Sequence, residues 1–190
     1  MKILGIDPGT AIIGYGLVEY KNNKINYIDY SCIYTHKDQA MSIRLKEIFE
    51  ELNIIIDKLK PDAIAIEEIF YFKNNKTVIS VSQARGVIIL ACQLKKIPIF
   101  EYTPLQVKMG ITGYGRAEKK QVQLMVQKIL NLKEIPKPDD AADALAIAIT
   151  HVNSNNSLIF NLDKKNINTN VKIDSNRISA KDFQKLFGKE

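Results

Sequence analysis

The sequence predicts one α/β or α+β domain built around a mixed β-sheet, and three observations carry this prediction. The first is a group of three short segments at the start of the chain with the apolar character of strands. The second is a long stripe of apolar residues at helical spacing, and the third is a short apolar segment directly after it. The sequence of the rest of the domain predicts helices around a short fifth strand.

Residues 2–7 form an apolar run that predicts a buried strand. Asp7-Pro8-Gly9-Thr10 predicts the turn after it, because Pro fixes φ and Gly tolerates positive φ. Two further strands, 13–20 and 25–34, are joined by Lys21-Asn22-Asn23-Lys24. A short polar connection of this kind favours a hairpin.

The clearest helix has apolar residues at successive spacings of four and three and ends at Pro61. Its stripe consists of Met41, Leu45, Ile48, Leu52, Ile55 and Leu59. After it we predict a strand at 63–67, a helix at about 75–95, a strand at 97–100, and helices at about 117–130 and 139–152.

The stretch Gly110–Gly115 contains three glycines and is predicted to be a flexible loop before a helix. Its amides could receive a phosphate at the helix N-terminus, and a plain connector is the alternative. We place the domain at residues 1–153 and expect 154–190 to be a flexible, polar and basic tail. Its Asn- and Lys-rich residues lack a sustained period.

Composition excludes some functional classes. No apolar run approaches the roughly 20 residues needed to span a bilayer, so no membrane role is expected. Cys32 and Cys92 lie far apart without clustered His, which is typical of buried free thiols rather than a zinc site. The N-terminus enters a strand directly, without a signal-peptide pattern, so we expect a cytoplasmic protein.

The chain carries a net charge of +6 and has an isoelectric point near 9.1. This charge favours a polyanionic partner such as nucleic acid, and an ordinary solvated basic surface is the alternative. Half of the excess charge lies in the tail, where seven Lys and Arg face four Asp and Glu.

Four carboxylates stand at the ends of predicted elements, and we call them the acidic quartet: Asp7, Glu67, Asp140 and Asp143. Asp7 and Glu67 close apolar strands, and the other two open the last helix, three residues apart and therefore on one face. Like charges about 4 Å apart repel by roughly 4 kcal/mol per pair at an effective dielectric near 20. If the four converge, protons or divalent cations must neutralise them, and carboxylate oxygens suit Mg²⁺.

Three of the four acids also have an ordinary structural explanation. Asp139, Asp140 and Asp143 could cap the helix and stabilise its N-terminal dipole. Asp7 before Pro-Gly could simply organise a turn. The joint pattern of four is much less expected by chance.

Several motifs occur in a fixed order: Gly5-Ile6-Asp7-Pro8-Gly9-Thr10 with Gly14-Tyr15-Gly16, Ile66-Glu67-Glu68-Ile69-Phe70, Gln83-Ala84-Arg85-Gly86, Ala117-Glu118-Lys119-Lys120-Gln121-Val122, and Asp140-Ala141-Ala142-Asp143-Ala144-Leu145-Ala146. In order and spacing they closely resemble the RuvC-type Holliday junction resolvases over roughly residues 1–152. The resemblance implies an RNase H-like fold, with a five-stranded mixed sheet flanked by helices. It also implies a homodimer, with the 75–95 helix as its main contact, and cooperation with the RuvA and RuvB branch-migration complex.

The activity implied by the resemblance is metal-dependent resolution of four-way DNA junctions in recombination and repair. Paired symmetric nicks would leave 5′-phosphate and 3′-hydroxyl ends. The family's metal ligands fall on the acidic quartet, with two Mg²⁺ ions expected and Mn²⁺ as a substitute. Asp139 is an extra neighbouring acid, and Glu68 stands where relatives often have Gln.

The resemblance also assigns residues to DNA. Phe70 matches an aromatic that stacks on an unpaired base at the crossover, whereas an aromatic after a strand is otherwise a core residue. Lys108 and Lys119 match basic positions near the catalytic centre, and Lys119 would offset charge on the reacting phosphate. Further candidate phosphate contacts are Lys73, Lys76, Arg85, Arg116 and Lys120, each of which could equally be a solvated cation.

Three other classes compete with this interpretation. An actin-like kinase or ATPase would share Asp7-Pro8-Gly9-Thr10 but needs a second Asp-x-Gly loop, which the sequence lacks. A nuclease of the same fold acting on RNA or on pre-16S ribosomal RNA requires a substrate panel to distinguish it. A catalytically silent junction-binding protein would not need all four acids.

Overall fold

The structure, a computed structural model, describes residues 1–68 and 75–166. The strands are β1 (Lys2–Asp7), β2 (Ile12–Lys21), β3 (Lys24–Tyr34), β4 (Ala63–Glu67) and β5 (Ile99–Tyr102). The helices are α1 (Met41–Leu59), α2 (Asn75–Leu94), α3 (Pro104–Thr112), α4 (Lys119–Ile129) and α5 (Asp139–Asn166). None of the helices in these ranges is long and apolar enough to cross a membrane.

The sheet has five strands in the order β3-β2-β1-β4-β5. β1 pairs antiparallel with β2 and parallel with β4, and β5 continues the parallel side. The sheet is therefore mixed, as predicted, and the hairpin between β2 and β3 is confirmed. Because β1 and β4 are parallel neighbours, the residues that end them lie side by side at one edge of the sheet.

Each face of the sheet has its own core. Leu4 and Ile6 of β1 pack with α1 and α2, whereas Ile3 packs with α3, α4 and α5. Successive side chains of a strand point to opposite faces. This alternation turns Asp7, like Ile3, toward the face that α5 covers.

Three sequence predictions need correction. Residues 104–112, including part of the predicted Gly110–Gly115 loop, form α3, and of the three glycines in that loop only Gly113 adopts the left-handed backbone of a helix end. The last helix runs to Asn166 rather than to about residue 152, because the Asn-rich stretch does not stop it and helix propensity is a weak guide. Cys32 is only partly buried, since β3 is an edge strand, while Cys92 is fully buried.

By its internal contacts the chain divides into a first unit, Met1–Asn156, and a second that begins at Ser157. The first unit contains the sheet and both cores. In the second, the backbone described, 157–166, is helical.

Candidate active site

The first two acids of the quartet are placed by strand pairing. Ile6 of β1 lies opposite Ile66 of β4, so Asp7 and Glu67 follow as neighbours at the same ends of parallel strands. In β4, Ala65 belongs to the α5 side of the core, while Ile64 and Ile66 belong to the other side. The same alternation therefore places the Glu67 side chain on the face occupied by Asp7.

The other two acids are placed by close contact between α5 and the sheet. A Cβ on Gly14 would collide with the carbonyl oxygen of Asp140, and a Cβ on Gly5 would collide with the carbonyl oxygen of Ala144. Gly14 is the strand partner of Asp7. Glycine thus lets the first turn of α5 rest on the strand beside Asp7, and we call this contact the glycine seam.

Two lysines approach the acids from neighbouring helices. Lys119, the first residue of α4, places Nζ 2.8 Å from Oδ2 of Asp143 and 3.6 Å from Oδ2 of Asp139. Lys108 of α3 lies close enough to Glu67 for its positive charge to oppose the rise that burial causes in the pKa of that carboxyl. Glu67, Lys108, Lys119 and Asp143 line one pocket of about 180 Å³.

The carboxyl groups of Asp7 and Glu67 resist ionisation. Burial, followed by the charges of Glu67, Asp143 and Asp140, raises the pKa of Asp7 to about 8, although Lys119 opposes the shift. Burial and the charge of Asp143 raise the pKa of Glu67 to about 7. The other three acids of the quartet therefore lie within electrostatic reach of Asp7.

The ion pair between Lys119 and Asp143 does not neutralise the group. Burial raises the pKa of Asp143 even though Lys119 donates a hydrogen bond to it. The pKa of Lys119 is also raised, because its hydrogen bond and attraction to Asp143 outweigh burial. Lys108 and Lys119 thus only partly offset the burial and like-charge repulsion that raise the pKa values of Asp7 and Glu67.

The donor chemistry of the quartet fits a divalent cation. Carboxylate oxygens are the ligands that Mg²⁺ selects, and a cation would remove the repulsion that raises the pKa values of Asp7 and Glu67. Among residues 1–68 and 75–166, no three His, Cys, Asp or Glu side chains are already gathered as a cation cage. The fit therefore rests on the donor set and its charge.

The predicted DNA contacts have different surroundings. Phe70 and Lys73 lie outside the described residues, and of Lys76 only the helical backbone is described. Arg116 and Lys120 are exposed beside the pocket helices. Arg85 instead pairs with Glu101 at 2.5 Å, and its side chain is only 18% exposed.

Sequence reasoning missed α3, which supplies Pro104 and Val107 to the pocket wall. The signal was present in Thr103-Pro104-Leu105-Gln106. Thr103 and Gln106 form a capping box, and Pro104 occupies the first turn. Sequence reasoning also missed the glycine seam, whose signal was glycine within strands on the face of Asp7.

Comparisons with known proteins agree on one family. The family model described as crossover junction endodeoxyribonuclease RuvC matches residues 3–151. The curated protein of that name from Fusobacterium nucleatum is 55% identical over 190 residues, covering 100% of this chain and 100% of its own length.

Solved structures give the same result. The structure of Thermus thermophilus RuvC matches with a TM-score of 0.76 and 35% identity, covering 83% of this chain and 96% of its own. The structure of T. thermophilus RuvC in complex with Holliday junction substrate matches with a TM-score of 0.76 and 32% identity, with the same coverage of both chains. The predicted RNase H-like fold is confirmed by these neighbours.

Proposed function

This chain belongs to the RuvC family of crossover junction endodeoxyribonucleases, and from that premise we propose that the acidic quartet is where it cleaves four-way DNA junctions. The chain is a structure-specific nuclease, a hydrolase of phosphodiester bonds. It resolves Holliday junctions in recombination and repair. The single observation that carries the assignment of the site is that the charges of Glu67, Asp143 and Asp140 all act on the buried carboxyl of Asp7.

The family is metal-dependent, and we propose Mg²⁺ as the metal, with two ions per site and Mn²⁺ as a substitute. The ions would be held by the acidic quartet, Asp7, Glu67, Asp140 and Asp143. When bound, the metal lowers the pKa of the attacking water and stabilises the leaving oxygen of an in-line displacement. Cleavage of this kind leaves 5′-phosphate and 3′-hydroxyl ends.

The chain's own residues would prepare the site for the phosphate. Lys119 holds Asp143 by a 2.8 Å ion pair and is about half exposed, so its ammonium can also meet a phosphate oxygen. There it would offset negative charge that grows during the reaction. Lys108, which lies near Glu67, would draw the phosphate toward the same pocket.

Partners beyond the substrate follow from the family. We propose that two copies form a symmetric dimer that nicks opposite strands, because a twofold interface presents two equal sites. We also propose that the chain cooperates with RuvA and RuvB and that it is located in the cytoplasm. For DNA binding, we propose that Phe70 stacks on a base at the crossover. Exposed Arg116 and Lys120, together with Lys73 and Lys76, remain proposed phosphate contacts.

The direct test is cleavage of a four-way junction by Asp7→Asn. The variant should bind the junction but fail to nick it, because it loses the carboxylate on which the other three converge. Asp139→Asn is the control, since Asp139 is an exposed acid in the first turn of α5, outside the quartet, and this variant should remain active. The unmutated chain should cut the four-way junction in the same panel and leave duplex DNA and RNA hybrids uncut. Full activity of Asp7→Asn would refute the site.

A further inference from the structure

Arg85 reaches from α2 to the end of the strand that carries Glu67. Its Nε donates to the carbonyl oxygen of Glu67 at 3.3 Å. Its Nη2 donates to Oε2 of Glu101, on β5, at 2.5 Å. One guanidinium therefore links a helix to two neighbouring strands at the active-site edge of the sheet.

The contact falls at the last residue of β4. Glu67 is the last residue of β4 and lies opposite Tyr102, the last residue of β5. After it, the backbone N–H of Glu68 donates to the carbonyl oxygen of Tyr102 at 2.8 Å. The hydrogen bond from Arg85 to the Glu67 carbonyl also connects this end of β4 to α2. It acts on the residue whose carboxylate belongs to the acidic quartet.

The surroundings of Arg85 do not suit a free phosphate contact. Its side chain is 18% exposed, against 54% for Lys119, and it already has a carboxylate partner. Opening that pair would leave a largely buried charge on α2 without its partner, which is costly. A guanidinium also holds its donors in a fixed planar fork, which suits fixing two acceptors at once.

We propose that Arg85 is a positioning residue of the active site, which sets the place of Glu67 through its backbone carbonyl while Glu101 orients the guanidinium. The inference rests on the proposed function of the quartet. It replaces the expectation that Arg85 binds a DNA phosphate. Displacement of a catalytic group by about 1 Å can lower a rate by about 10²-fold, so the effect is measurable.

The test compares Arg85→Gln and Glu101→Gln in the full-length chain. Both should lower kcat by about 10- to 100-fold and raise the Mg²⁺ concentration needed for half-maximal rate. The double variant should lose little more than Arg85→Gln alone, because both changes break one unit. In EDTA, junction affinity and its dependence on salt should match those of the unmutated chain. Glu101→Gln keeps an acceptor oxygen and remains informative if Arg85→Gln does not fold.

Two controls distinguish the alternatives. Arg116→Gln, at an exposed residue, should reduce the salt slope of binding by about one, as loss of a phosphate contact does. Lys46→Gln, in a surface ion pair with Glu50, should change nothing. The proposal is overturned if Arg85→Gln behaves like Arg116→Gln, or if Glu101→Gln tightens junction binding by releasing Arg85. Failure of the unmutated chain to cut junctions would instead refute the proposed function.

Discussion

The electrostatic strain in the quartet predicts that metal-free Asp7→Asn is more stable than the unmutated chain. A carboxyl whose pKa rises from 3.8 to about 8 on folding costs about 1.36 kcal/mol for each pH unit above the lower value. At pH 7 the cost is about 4 kcal/mol. Relaxation and water entry reduce it, so we expect a gain of about 2 to 4 kcal/mol from the neutral amide.

The sign follows from proton binding. The folded state holds the proton of Asp7 more tightly than the unfolded state, so the free energy of unfolding falls as pH rises from about 4 to about 8. Glu67, with a pKa raised to about 7, adds to the same trend. The advantage of Asp7→Asn should therefore be small at pH 4 and largest near pH 8.

Urea unfolding in EDTA at several pH values measures this difference directly. Asp38→Asn is the control, because the Asp38 side chain is 74% exposed and should show no such gain. Added Mg²⁺ should stabilise the unmutated chain more than Asp7→Asn, by an amount that grows with the logarithm of its concentration. A pH-independent difference, or a variant no more stable than the unmutated chain at pH 8, would refute the raised pKa of Asp7.

Three further predictions test other parts of the site. Gly14→Ala should abolish cleavage and lower the melting temperature, because its Cβ would collide with Asp140, whereas Gly86→Ala has open space and should be tolerated. Lys119→Met should slow single-turnover cleavage by about 10²- to 10³-fold. The control is Lys128→Met, because Lys128 is an exposed residue of the same helix and its loss should not affect cleavage. Removal of residues 167–190, which carry five Lys and Arg against three Asp and Glu, should preserve cleavage and reduce the salt slope of junction binding. Equal slopes for the two chains would contradict a role of the tail in binding.

Much of the fold could be predicted because its signals are local. Apolar runs gave the strands, and the stripe through Ile48 and Leu52 matches α1 as observed. α3 was missed because its glycine, Gly110, suggested a loop, although the capping box at Thr103 marked a helix start. The length of α5 was missed because polar residues weaken helix propensity without ending a helix.

The candidate acids could be proposed from the sequence, but their surroundings could not. Each acid stands at the end of an element, and in the structure the charges of Glu67, Asp140 and Asp143 act on Asp7. The pairing of Arg85 with Glu101 could not be found this way, because no local pattern joins residues 16 positions apart on a helix and a strand. Such contacts depend on tertiary packing, about which sequence periodicity carries no information.

The glycine seam has a consequence for laboratory evolution of this enzyme. Main chain lies directly against main chain there, so no side chain can repack to absorb a shift of α5 relative to β1 and β2. Libraries that seek a new cutting preference should yield few survivors at Gly5 and Gly14. Accepted changes should gather instead at exposed positions around the mouth of the pocket, where adaptation leaves the backbone frame undisturbed.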